Sequence, residues 1–71
     1  MSSEDFIEIN GTIEELLPAT NFKVKLEDGR IISAYLSGNM RRNRIKLTVG
    51  DEVKIQISPY DLEKGRIVYR Y

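Results

Sequence analysis

The sequence predicts an all-β barrel of five short strands. Apolar and polar residues alternate with a period of two along most of the chain, and no helical apolar period lasts beyond one or two turns. Turn residues separate five such runs, with a longer interruption at residues 37–44, between the third and fourth. With 71 residues, the chain suits one core, so residues 1–71 are expected to form a single domain. This order is typical of an OB fold, a partly open Greek-key barrel, and the long interruption favours it over an SH3-like barrel.

The first strand is predicted over residues 6–17. Its alternation places Ile7, Ile9 and Ile13 on the inward face. Gly11 falls on the same face, where a missing side chain suits a bulge or a tight bend. We therefore expect this strand to curve through both halves of the barrel.

The second and third strands flank the turn Glu27-Asp28-Gly29, and their register follows from the apolar residues. A three-residue loop with Gly29 in the left-handed conformation pairs Val24 with Ile32 and also matches Phe22 to Ala34. A two-residue turn would place these apolar residues on opposite faces, so the first register is chosen. The residues expected to point outward together, as a candidate recognition face, are Lys23, Lys25, Ser33 and Tyr35.

The remaining elements are a helical turn and two strands. Ser37 is a candidate cap for a short helical turn in the interruption. Residues 52–58 and 66–71 are predicted to form the fourth and fifth strands. The aromatic residues assigned by facing are Phe22 and Tyr69 in the core, and Phe6 as a cover at the mouth of the barrel.

Composition narrows the function classes. There is no cysteine and no histidine, which excludes disulfides, thiolate zinc sites and Ser/His triads. We therefore expect no enzymatic activity, no metal and no cofactor. No apolar stretch approaches the about 20 residues that span a bilayer, and the first residues do not resemble a signal peptide, so a cytoplasmic location (or the stroma, for a plastid protein) is expected. The acidic pairs expected to be structural are Glu14-Glu15, Glu27-Asp28 and Asp51-Glu52.

Charge is distributed unevenly along the chain although the net formal charge is zero. Residues 1–28 carry seven acids and two bases, whereas residues 29–71 carry nine bases and four acids. Halves of opposite sign indicate nucleic-acid contact on one side of the molecule. A merely solvated mixed surface is the alternative.

The strongest candidate site lies in the interruption. No acid occurs between Asp28 and Asp51, so a phosphate-binding role is favoured over a neutralised loop. Guanidinium groups bind phosphates bidentately and stack on bases. Met40 is either a core plug beneath the loop or a wedge against an unstacked base. The cations of this site are Arg41, Arg42, Arg44 and Lys46.

Further candidates lie on strands and in a turn. Arg66 and Arg70 alternate around Val68, so one face of the last strand is expected to be cationic at both ends. Protection of a strand edge against aggregation is the alternative for each arginine. Tyr35 and Tyr60 are the aromatics expected to be exposed, and each could contribute about 1–3 kcal/mol by stacking on a base. Ordinary packing is the alternative for both.

Five segments together resemble bacterial translation initiation factor 1, over nearly the whole chain. They are Gly11-Thr12, Glu27-Asp28-Gly29, residues 37–43, Gly50-Asp51 with Val53, and residues 58–70, the last being the most specific. The resemblance implies a factor that binds the small ribosomal subunit over the decoding (aminoacyl-tRNA) site, occludes it and cooperates with initiation factors 2 and 3. It also implies that Met40, Arg41 and Arg42 reach the rRNA helix of that site, with Arg66 and Arg70 on the rRNA-facing surface.

The implied partners are rRNA, neighbouring ribosomal proteins and the two other factors, and the free protein is expected to be a monomer. A general RNA chaperone of the cold-shock type is the alternative within binding modules. That class needs surface aromatics on adjacent strands, and the sequence places only Tyr35 suitably. A protein-binding adaptor that uses the acidic first half is the alternative from another class.

Overall fold

The computed structural model describes residues 6–19, 21–43 and 45–71. Within these ranges, five strands close into a barrel in the order β1-β2-β3-β5-β4. All pairings are antiparallel except that between β3 and β5, which is parallel. This architecture confirms the predicted OB fold. The elements are β1 (Ile7–Leu17), β2 (Asn21–Leu26), β3 (Ile31–Leu36), α1 (Gly38–Arg42), β4 (Glu52–Ser58) and β5 (Asp61–Arg70).

Strand β1 belongs to both halves of the barrel, as predicted. Its first half pairs with β4 and its second half with β2, and Gly11 is in register with both Val53 and Leu26. A Cβ atom at Gly11 would lie only 2.6 Å from Val24 Cγ1. The absence of a side chain at Gly11 thus allows β1 and β2 to lie close together. Of the two alternatives expected at Gly11, a bulge or a tight bend, the bulge lies further along the strand, between Ile13 and Glu15.

The β2–β3 hairpin has the predicted register. Val24 is opposite Ile32 and Phe22 is opposite Ala34. Gly29 has a φ of 94°, a left-handed conformation that L side chains rarely adopt. Asp28 accepts hydrogen bonds from the backbone N–H (3.0 Å) and Nε (2.8 Å) of Arg30, and these bonds, with the backbone N–H the largest cause, lower the pKa of Asp28.

The core is formed by the inward residues of all five strands and one residue of α1. Ile13 and Phe22 are buried as predicted, and Ile9 packs against the core from a half-buried position. Ile7 was expected inward, but it lies at the start of β1 and remains 47% exposed. The buried apolar residues are Ile13, Phe22, Val24, Leu26, Ile32, Ala34, Leu36, Met40, Val53, Ile55, Ile57 and Ile67.

Strand β5 departs from simple alternation. Ile67 is in register with Ile55, but Tyr69 is in register with Lys54, so the intervening Val68 is an extra residue and the facing reverses after it. Tyr69 therefore points outward and is 54% exposed, and its assignment to the core was wrong. The reversal could not be read from the β5 sequence because it depends on the partner strand.

Helix α1 is a single short turn that caps one end of the barrel. The Ser37 side chain accepts a hydrogen bond from the Met40 backbone N–H at 3.2 Å, which confirms the predicted cap. The Ser37 backbone N–H donates to the carbonyl oxygen of Ile67 at 3.0 Å and ties α1 to β5. No helix in the described ranges has the length and apolar character needed to cross a bilayer.

Candidate nucleic-acid interface

Helix α1 presents two of the predicted cations. Arg41 and Arg42 occupy its last turn and are exposed. Among residues 6–19, 21–43 and 45–71, neither of them forms an ion pair. Arg44, the third guanidinium assigned to this site, lies outside the described residues. The two described guanidiniums are therefore available to an external anion.

Met40 lies between these cations and the barrel. Its side chain is only 6% exposed and belongs to the core cluster. The core-plug interpretation is confirmed. In this conformation Met40 cannot wedge against a base, and its contribution is to anchor the helix that carries Arg41 and Arg42.

Lys46 and Arg70 meet at the same end of the barrel. Lys46 is exposed in the segment after α1, and its carbonyl oxygen accepts a hydrogen bond from Arg70 Nη1 at 3.1 Å. The same Nη1 atom lies 4.0 Å from Asp51 Oδ2, so a carboxylate partly offsets the charge of Arg70. Arg70 therefore joins the helix end of the barrel, and it also holds the 45–51 segment against β5.

Arg66 lies on a different face from Arg70. It is in register with Gln56 on the outer side of the barrel, whereas Arg70 is in register with the buried Val53. The expectation of one cationic face along β5 was wrong, because the extra residue Val68 reverses the facing between the two arginines.

The outer face of β2 and β3 carries the predicted residues. Lys23, Lys25 and Tyr35 are exposed, and their inward neighbours are buried. Lys23 lies 3.8 Å from Glu15 in an exposed ion pair, which contributes little to stability. Ile31 is the apolar exception on this face and is also exposed.

Lys64 is a cation of this face that sequence reasoning missed. The parallel pairing of β3 with β5 sets Lys64 in register with Ser33, and Tyr35 in register with Arg66. Two adjoining grooves share Tyr35 and Lys64; one extends towards residues 17–19 and the other towards Arg66. Only knowledge of which strand closes the barrel would have found Lys64.

The β4–β5 turn and the end of β5 expose further aromatic rings. Tyr60 is 90% exposed, in agreement with the prediction of an exposed loop tyrosine. The rings of Tyr69 and Tyr71 meet edge to face, with centroids 5.1 Å apart, and Tyr71 Oη donates to Asn10 Oδ1 at 2.7 Å. Neither Tyr69 nor Tyr71 was assigned to the surface from the sequence.

The acidic side chains form no metal-binding group in the part of the chain that the structure describes. No group of three or more carboxylates there could hold a metal ion. No buried side-chain nitrogen or oxygen atom in these ranges lacks a hydrogen-bond partner. The candidate interface consists of the exposed cations and aromatic rings described above.

Comparison with known proteins identifies the family. The family model described as "Translation initiation factor 1A / IF-1" matches residues 2–71. The solution structure of translation initiation factor 1 from the Wolbachia endosymbiont strain TRS of Brugia malayi is 39% identical, with a TM-score of 0.81 over 99% of this chain and 83% of that chain. The crystal structure of YjeQ from Thermotoga maritima shares the fold, with a TM-score of 0.74 and a sequence identity of 23%. The match covers 92% of this chain and 23% of that chain. The protein is therefore a translation initiation factor of the 1A / IF-1 family.

Proposed function

We propose that this factor binds the small ribosomal subunit at the decoding (aminoacyl-tRNA) site through rRNA contacts and occludes that site. In this role it cooperates with initiation factors 2 and 3. The observation that carries the proposal is the pair of exposed guanidiniums, Arg41 and Arg42, held by a buried Met40 at the barrel end where Lys46 and Arg70 also lie. The family membership supplies the ribosomal context.

Electrostatics gives the proposed contact its strength. Each rRNA phosphate that a cation neutralises releases condensed counterions, so affinity falls as salt rises. Arg41 and Arg42 form no ion pair with another described residue, whereas the charge of Arg70 is partly offset by Asp51. We therefore assign the primary phosphate contacts to α1. The supporting contacts are assigned to Lys46, Arg66, Arg70, Lys23, Lys25, Tyr35 and Tyr60, and to Arg44 on sequence grounds alone.

The test is chemical footprinting of small-subunit rRNA with and without the protein. Protection confined to the decoding region supports the proposal, and protection elsewhere contradicts it. The double variant Arg41→Glu/Arg42→Glu is expected to lower affinity at least about 100-fold, because like charge replaces phosphate pairing. Its thermal unfolding midpoint should match that of the wild type. Normal binding by this variant would show that α1 is not the contact.

A general RNA chaperone is the second candidate, and one observation favours it. Tyr69 and Tyr71 expose two rings at the end of β5, in addition to Tyr35 on β3. Exposed rings on a barrel surface can stack on unpaired bases. Melting of RNA hairpins by the free protein, with loss of activity on Tyr69→Ala rather than on Arg41→Glu, would favour this function.

The remaining parts of the proposal concern the setting. We infer a monomer when free, neighbouring ribosomal proteins as secondary partners, and a cytoplasmic or stromal location. Sedimentation of the free protein at rising concentration tests the first of these inferences.

A further inference from the structure

The Arg66 side chain contacts Gln56 of β4 and Phe6, the residue that precedes β1. Its Nη2 atom donates to Gln56 Oε1 at 3.0 Å, and Gln56 Nε2 donates to Glu8 Oε2 at 3.3 Å. The three residues lie on β5, β4 and β1, in register with one another. The Arg66 guanidinium carbon also lies over the Phe6 ring, 5.5 Å from its centroid, within the range of a cation–π contact. We call Glu8, Gln56 and Phe6 the Arg66 support.

Glu8 determines which way the Gln56 amide faces. An ionised carboxylate only accepts hydrogen bonds, so the Gln56 NH₂ group must turn towards Glu8. The carbonyl oxygen of the same amide is then directed to Arg66, which only donates. Glu8 and Arg66 therefore favour the same orientation of the Gln56 amide.

The Gln56 amide that accepts the hydrogen bond from Arg66 is neutral. In this respect Arg66 differs from Arg70, the other arginine of β5. Arg70 lies 4.0 Å from the Asp51 carboxylate. The carboxylate in the Arg66 support is that of Glu8, which is one side chain further away and lies 4.0 Å from Lys54 Nζ. Gln56 thus fixes the guanidinium without offsetting its charge, and it uses only one of the five N–H donors of an arginine.

The fixed guanidinium lies in the groove shared with Tyr35 and Lys64. Arg66, Gln56 and Phe6 all line this groove. The Asp61 carboxylate lines the groove as well, so an anion is favoured beside the two cations, Arg66 and Lys64, and not throughout the groove. A long side chain that is ordered before binding loses less conformational entropy when it meets its ligand.

We propose that Gln56, Glu8 and Phe6 are positioning residues that hold Arg66 in one orientation for an rRNA phosphate beside Tyr35 and Lys64. This inference rests on the proposed function for its ligand. The support is expected to affect rRNA binding through Arg66; Lys54, the other cation that Glu8 contacts, is not assigned to the rRNA surface.

A double-mutant cycle tests this inference, with fluorescently labelled protein titrated against purified small ribosomal subunits. Arg66→Ala is expected to weaken binding about 10-fold and Gln56→Leu about 3-fold, as losses of one charged contact and of its ordering. The double variant should bind no more weakly than Arg66→Ala, because Gln56 acts only through Arg66. If the two losses multiply, or if Gln56→Leu has no effect, the inference is wrong.

Two comparisons serve as controls. Gln56→Leu combined with Arg41→Ala should show multiplied losses, since Arg41 lies on α1 and not on the support. Glu8→Gln retains an acceptor for the Gln56 amide and should bind nearly as the wild type does, whereas Glu8→Leu should resemble Gln56→Leu. Thermal unfolding of each variant verifies that the barrel is intact.

A measurement without ribosomes separates this inference from the proposed function. Nitrogen-15 relaxation at the arginine Nε atoms of the free protein reports their motion on the ps–ns timescale. Arg66 should be more ordered than Arg41, and Gln56→Leu should raise the mobility of Arg66 only. Equal mobility of the two arginines in the wild type would overturn the positioning role. Failure of the wild type to bind small subunits, with Arg66 still ordered, would instead overturn the ligand and the proposed function.

Discussion

The barrel wall and helix α1 are built in different ways, although they lie side by side. Each strand of the wall is paired on both sides, and its inward residues form the core. Helix α1 has five residues and is attached by the Ser37 backbone, the Ser37 cap and the Met40 side chain. The wall arginines have protein partners, whereas Arg41 and Arg42 form no ion pair within the described ranges.

This difference indicates that the wall and α1 hold their charged side chains in different ways. Charges on the wall are oriented by neighbouring strands before any ligand arrives. The charges of α1 lie on an element that has few attachments to the barrel, and these attachments can be altered without opening the barrel. The largest consequence for stability should therefore follow from changes in the wall, and changes in α1 should affect stability less than they affect binding.

Gly65→Ala should break the wall and cause the largest loss of stability. A Cβ atom there would lie 2.5 Å from Ile55 Cγ2 and 3.0 Å from Ile32 Cδ1, at a position where β5 pairs with both β3 and β4. We expect a loss of about 3 kcal/mol in the free energy of unfolding, measured in urea. The control is Gly38→Ala in α1, where a Cβ meets nothing within 4 Å and stability should hardly change.

Met40→Ala should detach α1 and cost somewhat less. Removing a buried methionine side chain lowers the free energy of unfolding by about 2 kcal/mol. Binding to small subunits should fall together with it, because Arg41 and Arg42 lose their anchor. Met40→Leu keeps the volume and should retain both properties. If Met40→Ala lost stability but bound normally, the anchoring role would be refuted.

Ser37→Ala removes the cap and should have a moderate effect. The Met40 backbone N–H loses its acceptor, which costs about 1 kcal/mol, as typical for N-cap serines. Thermal unfolding by circular dichroism measures this loss. Ser37→Thr retains a hydroxyl acceptor and should recover most of the stability.

Arg70→Gln should have a small effect that depends on salt. The variant weakens the contacts of β5 with the 45–51 segment, for a cost of about 0.5 kcal/mol at low salt. High salt screens the contribution of the Asp51 pair, so the difference from the wild type should shrink there. Arg41→Gln should leave stability unchanged at either salt concentration.

Asp28→Asn concerns the β2–β3 turn and should have the smallest effect, confined to its pH dependence. The pKa of Asp28 is lowered in the folded state, so its ionised form contributes stability above the unfolded pKa of about 3.9. That contribution is lost as pH falls through the lower folded pKa. The unfolding midpoints of variant and wild type should therefore converge as the pH falls below the ordinary range of an aspartate pKa. A difference that grows towards acid pH would contradict this sign.

The sequence allowed most of the barrel to be predicted because local alternation determines facing where a ladder is unbroken. Lys23, Lys25 and Tyr35 were placed correctly, since the β2–β3 pairing runs without a register shift. Tyr69 was misplaced because Val68 is an extra residue only relative to β4. Alternation within one strand contains no information about its partner.

The candidate site was predicted in part, for a related reason. Residue type was sufficient to single out Arg41 and Arg42, and the structure leaves both exposed. The burial of Met40, the support of Arg66 by Gln56 and the proximity of Lys64 to Ser33 all depend on contacts between distant segments. Such contacts exist only once the barrel has closed, so composition and spacing could not indicate them.

Closure of the barrel has a consequence for how the chain folds. The parallel ladder between β3 and β5 joins only four residue pairs, from Ser33↔Lys64 to Leu36↔Ile67, which are 31 positions apart in sequence. The hairpins β2–β3 and β4–β5 can form from neighbouring residues, whereas this ladder must first overcome the entropy of closing a long loop. The β1–β4 ladder joins residues that are still further apart, from Ile7↔Ile57 to Thr12↔Glu52. We therefore expect these two non-local ladders to form late in folding, with the slow kinetics that are typical of high contact order.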